Sequence, residues 1–415
     1  MSQSVTTLNS LMKYVLPEKH VSLIPDNVKF LKMLPELREA QKLGRKYLLP
    51  VELSAEGGVT YGDGSAFAYE TVVDGGWGEA QLDAYPVVLN MELSRSAVDR
   101  LSNDKNSFVD VMGLKTKSMY TELARRAETS LFYGKSSKGL GTVGAITGTS
   151  GTSLVLTFST GQWAPGIWAG RKNHRFEVRQ TATGTARAGH STNFLTLTTI
   201  DFVNKKCTFT GDATEIATVV ATDVVYFRGA YTNDMQGLDA ILTTSGTIFN
   251  IDNSANSLWK GSAYTMGSIA FSELIKAVGS AVAIGGLGEE TVCFVNSDKY
   301  ELLNSTVTNS NYRNTGASAN DDAIAGVEEM SFQTQAGKCK LIGSPYVKEG
   351  DGFIFSLKHI HAVGAKMISF ENSQGKGDYW LELPSNYGAR MQGAFEFAIL
   401  HEKPACAVKL TVPAS

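Results

Sequence analysis

Few residues in this 415-residue chain are placed to do chemistry, and their surroundings argue against it. Gly134-Lys135-Ser136 matches the end of a phosphate-cradling loop, in which backbone N–H groups and a lysine hold nucleotide phosphates. That motif needs a glycine five positions before Gly134, where Thr129 stands, and a strand where helical periodicity runs instead. Gly139-Leu140-Gly141-Thr142-Val143-Gly144 satisfies the dinucleotide pattern G-x-G-x-x-G letter for letter. It follows a helix and opens none whose N-terminus could receive a pyrophosphate, so a loop into the next β segment is expected. His359 and His361 alternate on one strand and share a face, but no carboxylate or third histidine accompanies them at metal-ligand spacing. Neither G-x-S-x-G nor H-E-x-x-H occurs. Glu289-Glu290 and Glu328-Glu329 lie in polar, turn-like stretches that give no cause for a shifted pKa. Trp163 and Trp168, with Pro165 and Gly166 between them, read as a loop anchor, with ligand stacking as the alternative. The residues therefore announce no enzyme, no cofactor and no metal site.

Composition narrows the classes further. Lys plus Arg number 38 against 41 Asp plus Glu, a formal charge of -3, whereas a sequence-specific nucleic-acid binder is normally basic. The four cysteines, Cys207, Cys293, Cys339 and Cys406, form no C-x-x-C pair, which fits folding in a reducing, intracellular setting. The N-terminal residues lack a continuous apolar signal region, and no stretch of 18 apolar residues suggests a membrane span. Glycine, at 41 residues against 10 prolines, points to many turns.

The elements that position these residues fall into blocks. Residues 1–48 form an arm whose prolines at 17, 25 and 35 forbid a long helix. Between residues 11 and 48 it carries eight basic residues against four acidic, suiting a solvated face or a polyanion. Residues 49–94 read as an extended hairpin-like excursion, β-type runs separated by Gly-Gly, Gly-Asp-Gly and Asp-Gly-Gly. Its carboxylates are Glu52, Glu56, Asp63, Glu70, Asp74, Glu79, Asp83 and Glu92, and no Lys or Arg lies between Pro50 and Arg95. Two strands are marginal without a surface to lie on, so this ribbon is expected to rest on another subunit. Residues 95–137 hold the strongest helical signal, with Met112, Met119, Leu123, Ala127 and Leu131 at near-helical spacing, Ser94 as N-cap and Gly134 as stop. Nine basic residues against five acidic from Arg95 to Lys138 make this helix complementary to the ribbon. Residues 138–230 read as a β-rich insertion, a small barrel or sandwich. Residues 231–370 alternate helix and strand, and residues 371–415 are β-rich, giving an α+β chain.

The order arm, glycine-rich hairpin, long helix ending Arg125-Arg126-Ala127-Glu128-Thr129-Ser130-Leu131-Phe132-Tyr133-Gly134, then glycine-rich β resembles the tailed-phage major capsid protein family, with its Hong Kong 97-type capsid fold. Gly139 to Gly148, Asp234 to Leu242 and Cys293 to Leu303 share the family's texture. The resemblance implies a structural protein with an N-terminal arm, an extended loop reaching over its neighbour, a spine helix in a peripheral domain, and an axial domain. It implies self-association into hexamers and pentamers of an icosahedral virion shell, built in the bacterial host cytoplasm around double-stranded DNA. Portal and scaffolding or decoration proteins are the implied partners. Relatives that weld their shells use a lysine of the extended loop, and this loop has none. An encapsulin-like nanocompartment is the rival within the fold, and a carbohydrate-binding or adhesin module the rival from another class.

At residue level, the carboxylates from Glu52 to Asp83 are expected to pair with Lys115, Lys117, Arg125 or Arg126 of an adjacent subunit as rim contacts that set register. Phe67, Tyr69, Trp77 and Tyr85 are the expected apolar anchors. Charge reversal at Arg125 and Arg126 is expected to impair assembly and leave the protomer folded.

Overall fold

The computed structural model describes residues 27–35, 46–94, 111–181, 183–190, 193–285, 290–309, 330–370, 380–382 and 388–414. Most of the arm, residues 95–110 of the expected helix, Glu289, Glu328, Glu329 and the polar stretch after Asn309 lie outside them.

The spine helix is described over Val111–Tyr133 and runs unbroken through Gly113. Met119, Leu123, Ala127 and Leu131 recur every four residues on one face and are all buried, which is why this segment is helical and which way it faces. It stops where Lys135 turns into the left-handed region (φ 49°) and Gly134 meets another segment. A Cβ on Gly134 would lie 2.3 Å from the Met235 carbonyl oxygen. Ser94, the expected cap, ends a strand, and residues 95–110 between it and Val111 lie outside the described residues.

That strand, β3 (Val87–Ser94), follows two hairpin strands, β1 (Tyr47–Glu52) and β2 (Trp77–Leu82), paired antiparallel from Tyr47↔Leu82 to Glu52↔Trp77. The expected insertion is a closed barrel. Its strands are β4 (Gly141–Ser150), β5 (Ser153–Phe158), β6 (Arg175–Arg179), β7 (Ala186–Ala188), β8 (Leu195–Asp201), β9 (Lys206–Thr210) and β10 (Val224–Phe227). The order is β10-β4-β5-β9-β8-β6-β7, and β10 also pairs with β6, so the sheet returns on itself and only β7 hangs off the ring. Alternate residues of β5 and β9 point inward, Leu154, Leu156 and Phe158 facing Cys207 and Phe209. The G-x-G-x-x-G run is therefore not merely a loop: Gly141 to Gly144 begin β4, and Gly144 sits at a register shift where a Cβ would come within 2.8 Å of the Ser159 backbone.

After the barrel, a tight turn joins β11 (Thr247–Ile248) to β12 (Ile251–Asp252). The stretch expected to be axial contributes to a six-stranded mixed sheet of β13 (Ser262–Thr265), β14 (Thr291–Asn296), β15 (Met330–Thr334), β16 (Gly337–Ser344), β17 (Asp351–Ser356) and β21 (Val408–Thr411). Their order is β13-β21-β17-β14-β16-β15. Every residue of β14 and β17 is buried, apolar at their centres (Val292–Val295, Phe353–Phe355) and covered on both faces. Helix Phe271–Ile284 lays Leu274, Ala277, Val278 and Ala281 onto this sheet, with a second helix, Ser297–Asn309, beside it. The remaining sheet centres on β20 (Gly388–His401), which pairs with β3, β18 (Ile360–Ser369) and β19 (Trp380–Glu382). The spine helix crosses β20 so closely that a Cβ on Gly393 would lie 2.7 Å from Leu123.

One continuous core runs from the hairpin base through the spine helix into the barrel. The arm is stitched to it at Phe30, whose ring sits 5.3 Å from each of Phe132, Phe294 and Phe355. Beside that ring, the buried Glu128 carboxylate accepts three successive backbone N–H groups, from Lys29, Phe30 and Leu31, at 2.8–3.2 Å.

Candidate assembly surface

The hairpin has two halves with different fates. At its base, Ala80 and Leu82 are buried and Leu49 and Val51 pack beside them, while Gln81 N–H donates to the Phe249 carbonyl at 2.8 Å. Beyond Glu52 and Trp77 the two sides are tied at Leu53 and Ser54 to Gly76, then by Gly57 N–H to Val73 O at 2.8 Å and Glu70 N–H to the Thr60 hydroxyl at 2.9 Å. Residues 61–74 are all exposed. This tip carries large apolar side chains in water, Tyr61 at 94%, Tyr69 at 87% and, where β2 begins, Trp77 at 71% exposure. Phe67 is half exposed and leans on Tyr69 edge to face at 5.9 Å. An exposed apolar strip of this size marks an interaction surface.

The expected carboxylates follow the same division. Glu52, Glu56, Asp63, Glu70, Asp74 and Glu79 are exposed. The Ser65 N–H holds Asp63 below the usual carboxylate range. Asp83 lies at the base 3.7 Å from Lys46, and Glu92 binds Arg390 at 2.6 Å on the neighbouring strand. Tyr85 is not an open anchor: it is partly buried beneath Lys135, whose ammonium lies 3.9 Å from the ring centroid.

On the spine helix, Lys115 and Lys117 are exposed as expected, whereas Arg125 is fully buried. Its guanidinium donates to the Tyr346 hydroxyl and to the Gly166 carbonyl, each at 3.1 Å, and to Ala169 O. Arg125 therefore has no surface to offer a neighbour, and reversing its charge would break the docking of barrel on helix rather than spare the protomer. Arg126 keeps an exposed edge, 27% of its side chain, with its guanidinium 4.1 Å above the Phe227 ring. Both arginines belong to a cluster around Glu122, whose carboxylate lies 3.6 Å from Arg171 and 3.5 Å from His174. Burial pushes Glu122 up, but Arg171, Arg126, His174 and Arg125 together hold it below its ordinary range. Burial lowers Arg171 to about 9. Sequence gave no sign of Arg171 or His174, which the barrel brings to the helix from some fifty positions away.

Trp163 and Trp168 are buried in the barrel core, stacked 6.1 Å apart, so neither offers a platform for a sugar. His359 and His361 are joined by a third histidine, His401, which is fully buried. Among the described residues no group of three or more His, Cys, Asp or Glu is arranged to hold a metal, and no helix is long and apolar enough to cross a membrane.

No protein-family model and no curated protein matches the chain. Solved structures do. The capsid asymmetric unit of cyanophage A-1(L) superposes with a TM-score of 0.59 at 9% identity, covering 99% of this chain and 99% of that one. The capsid of the native GTA particle gives 0.51 at 8% identity, covering both chains completely, 100% and 100%. The capsid of cyanophage P-SCSP1u gives 0.50 at 11% identity over 99% of this chain and 96% of that one. End-to-end overlap at such low identity is a likeness of architecture. The chain therefore has the α+β fold of tailed-phage capsid proteins that its sequence resembles.

Proposed function

We propose that this chain is the major capsid protein of a tailed phage, whose copies tile a closed shell around double-stranded DNA. The observation that carries this is the exposed hairpin tip, aromatic and free of basic residues, on a chain with a capsid fold. A protein acting alone would gain nothing from holding Tyr61, Tyr69 and Trp77 in water. Laid on another copy they exclude water there, and the carboxylates around them set register against exposed cations such as Lys115, Lys117 and the free edge of Arg126. Each contact need only be weak, near 4 kcal/mol or millimolar, because closure makes the whole durable through multivalency. The basic arm suits nonspecific, salt-sensitive contact with packaged DNA. A portal and scaffolding or decoration proteins complete the proposed set of partners, and the virion is the proposed location, following assembly in the host cytoplasm. Negative-stain microscopy of the purified protein tests this directly: closed particles of uniform diameter are expected, and a protein that stays monomeric across salt, crowding and concentration would overturn it.

A further inference from the structure

Charge of one sign collects where the barrel meets the spine helix. Six cations lie along this seam, Arg125 and Arg126 on the helix, Arg171, Lys172 and Arg175 leading into β6, and Arg228 just after β10, against two carboxylates, Glu122 and Asp234. The chain as a whole stands at -3, so the excess is local. Part of it is fixed from behind. Arg125 and Arg171 are fully buried, and Nε and Nη1 of Arg171 donate no hydrogen bond among the described residues, the shared Glu122 carboxylate lying 3.6 Å away. A buried charge behind a low-dielectric wall strengthens the field at the exposed groups in front of it. Those groups are ordered. Phe227 pairs in register with Phe176, which sets Arg228 beside Arg175 on neighbouring strands, and both guanidiniums rest on the Phe194 ring, Arg175 at 3.7 Å and Arg228 at 4.5 Å from its centroid. Phe227 itself carries Arg126 at 4.1 Å and Arg171 at 4.5 Å. Lys172, Arg175 and Arg228 are exposed, and Thr196 lies cross-strand from Arg175. The carboxylates on the nearby barrel rim are already hydrogen-bonded: Asp212 accepts from the Thr214 and Glu215 N–H groups, and Glu215 from Gly189 N–H and the Asn193 amide.

We infer that this seam faces the inside of the shell and binds the phosphate backbone of duplex DNA, as a structured contact separate from the basic arm. This deepens the proposed function, and the choice of DNA as the polyanion rests on it. Arginines and lysines with a hydroxyl residue among them are the set that meets phosphate oxygens, and such contacts place a duplex without reading its sequence. The cations are strung out, from Arg126 at the helix to Arg175 and Arg228 on the barrel, whereas a site for one small anion would converge on a point. A duplex carries one negative charge per roughly 1.7 Å of its axis, so it can meet all of them together. Single strands bind differently, by stacking unpaired bases on open aromatic rings. Phe194 and Phe227 are taken up by guanidiniums, which favours the duplex.

Fluorescence anisotropy of the full chain with a DNA duplex of about 30 base pairs, across about 50–200 mM salt, tests the contact. Each phosphate contact adds about 0.9 to the slope of log affinity against log salt, so Arg175→Ala with Arg228→Ala should lower the slope by about two. Binding at the low-salt end should weaken by about tenfold or more. Both side chains are exposed, so the thermal midpoint of this variant is expected to hold. Arg175→Lys with Arg228→Lys keeps the charges and should keep the slope. Lys338→Ala, at an exposed lysine on β16, should leave it unchanged. An unaltered slope in the double alanine variant, or an equal fall in Lys338→Ala, would overturn the inference. An oligoglutamate of matched charge that binds the wild type as tightly as the duplex, and loses as much in the double variant, would overturn it in favour of an acidic protein segment. Microscopy of the same preparations keeps the two readings apart. Closed particles with an unaltered slope would leave the capsid role intact and remove the seam contact, whereas the expected fall in slope in a protein that never closes into particles would support the contact and remove the capsid role.

Discussion

Arg125 shows why a basic residue on a helix cannot be assigned to a partner from its charge alone. Its neighbours in sequence, Arg126 and Glu128, differ from it by 100° steps around the helix, and only burial tells which of the three faces water. Because its three acceptors are all inside the protomer, Arg125→Ala should destabilise by about 3–5 kcal/mol in urea unfolding, while Lys117→Glu should stay within about 0.5 kcal/mol. A loss at Arg125 no larger than at Lys117 would remove the residue from the core network. His401 supplies a pH test at the same scale. Burial, then His359 and His361, lowers its pKa to about 3 from an ordinary 6.5, and neither ring nitrogen has a partner among the described residues. Lys358, Glu402 and Lys403 act in turn on His359, and Glu402 lies 3.4 Å from His361. A base whose folded pKa is depressed contributes stability that is complete above its unfolded value and is lost as pH falls toward the folded one. Between pH 7 and pH 4.5 the wild type should therefore lose about 2 kcal/mol more than His401→Phe. Equal losses would mean that His401 is not held neutral.

At the scale of elements, the arm is joined to the body by a latch rather than by a strand. Phe30 fills a pocket of three phenylalanine rings, and Glu128 gathers three N–H groups that no helix of four residues could satisfy itself. Glu128→Gln leaves a single carboxamide oxygen for these donors, so hydrogen exchange at residues 29–31 should quicken by tenfold or more, with global unfolding moved by only about 1–3 kcal/mol. Unchanged exchange would show that Phe30 alone holds the arm. Elements of this molecule were legible in sequence where one local pattern decides them. The helix at Phe271–Ile284 and the strand at Thr291–Asn296 stand where apolar periodicity and a β-branched run put them. The barrel was visible as β texture, but its closure was not, because closure depends on β10 pairing with both β4 and β6, whose positions no local signal records. β4, β16 and β21 carry little local signal for different reasons: glycines weaken the first, lysines interrupt the second, and the third is only four residues long. The hairpin was legible as an acidic ribbon, whereas the burial of its base against Phe249 depends on a segment about 170 positions away and left no local trace.

For the whole molecule, the proposed function implies that folding and assembly draw on different residues of the hairpin. The base belongs to the protomer's continuous core, and the tip adds no buried side chain to it. Replacing residues 59–71 with a short glycine turn between Gly58 and Val72 uses the Gly57↔Val73 bridge already present to close the shortened hairpin. Stability should then stay within about 0.5 kcal/mol, a shift of less than about 2 °C in the thermal midpoint for a chain of this size. Assembly should disappear under the proposed function, because each subunit of a ring contributes one hairpin contact and loses it with the tip. A loss of even about 4 kcal/mol per contact is a factor near a thousand in the association constant for each added copy. Calorimetry and light scattering on the same sample read the two quantities separately. A shortened protein that unfolds earlier by many degrees would place the tip in the protomer's own core, and one that still closes into particles would move the shell's principal contacts away from the hairpin to the barrel or the axial sheet.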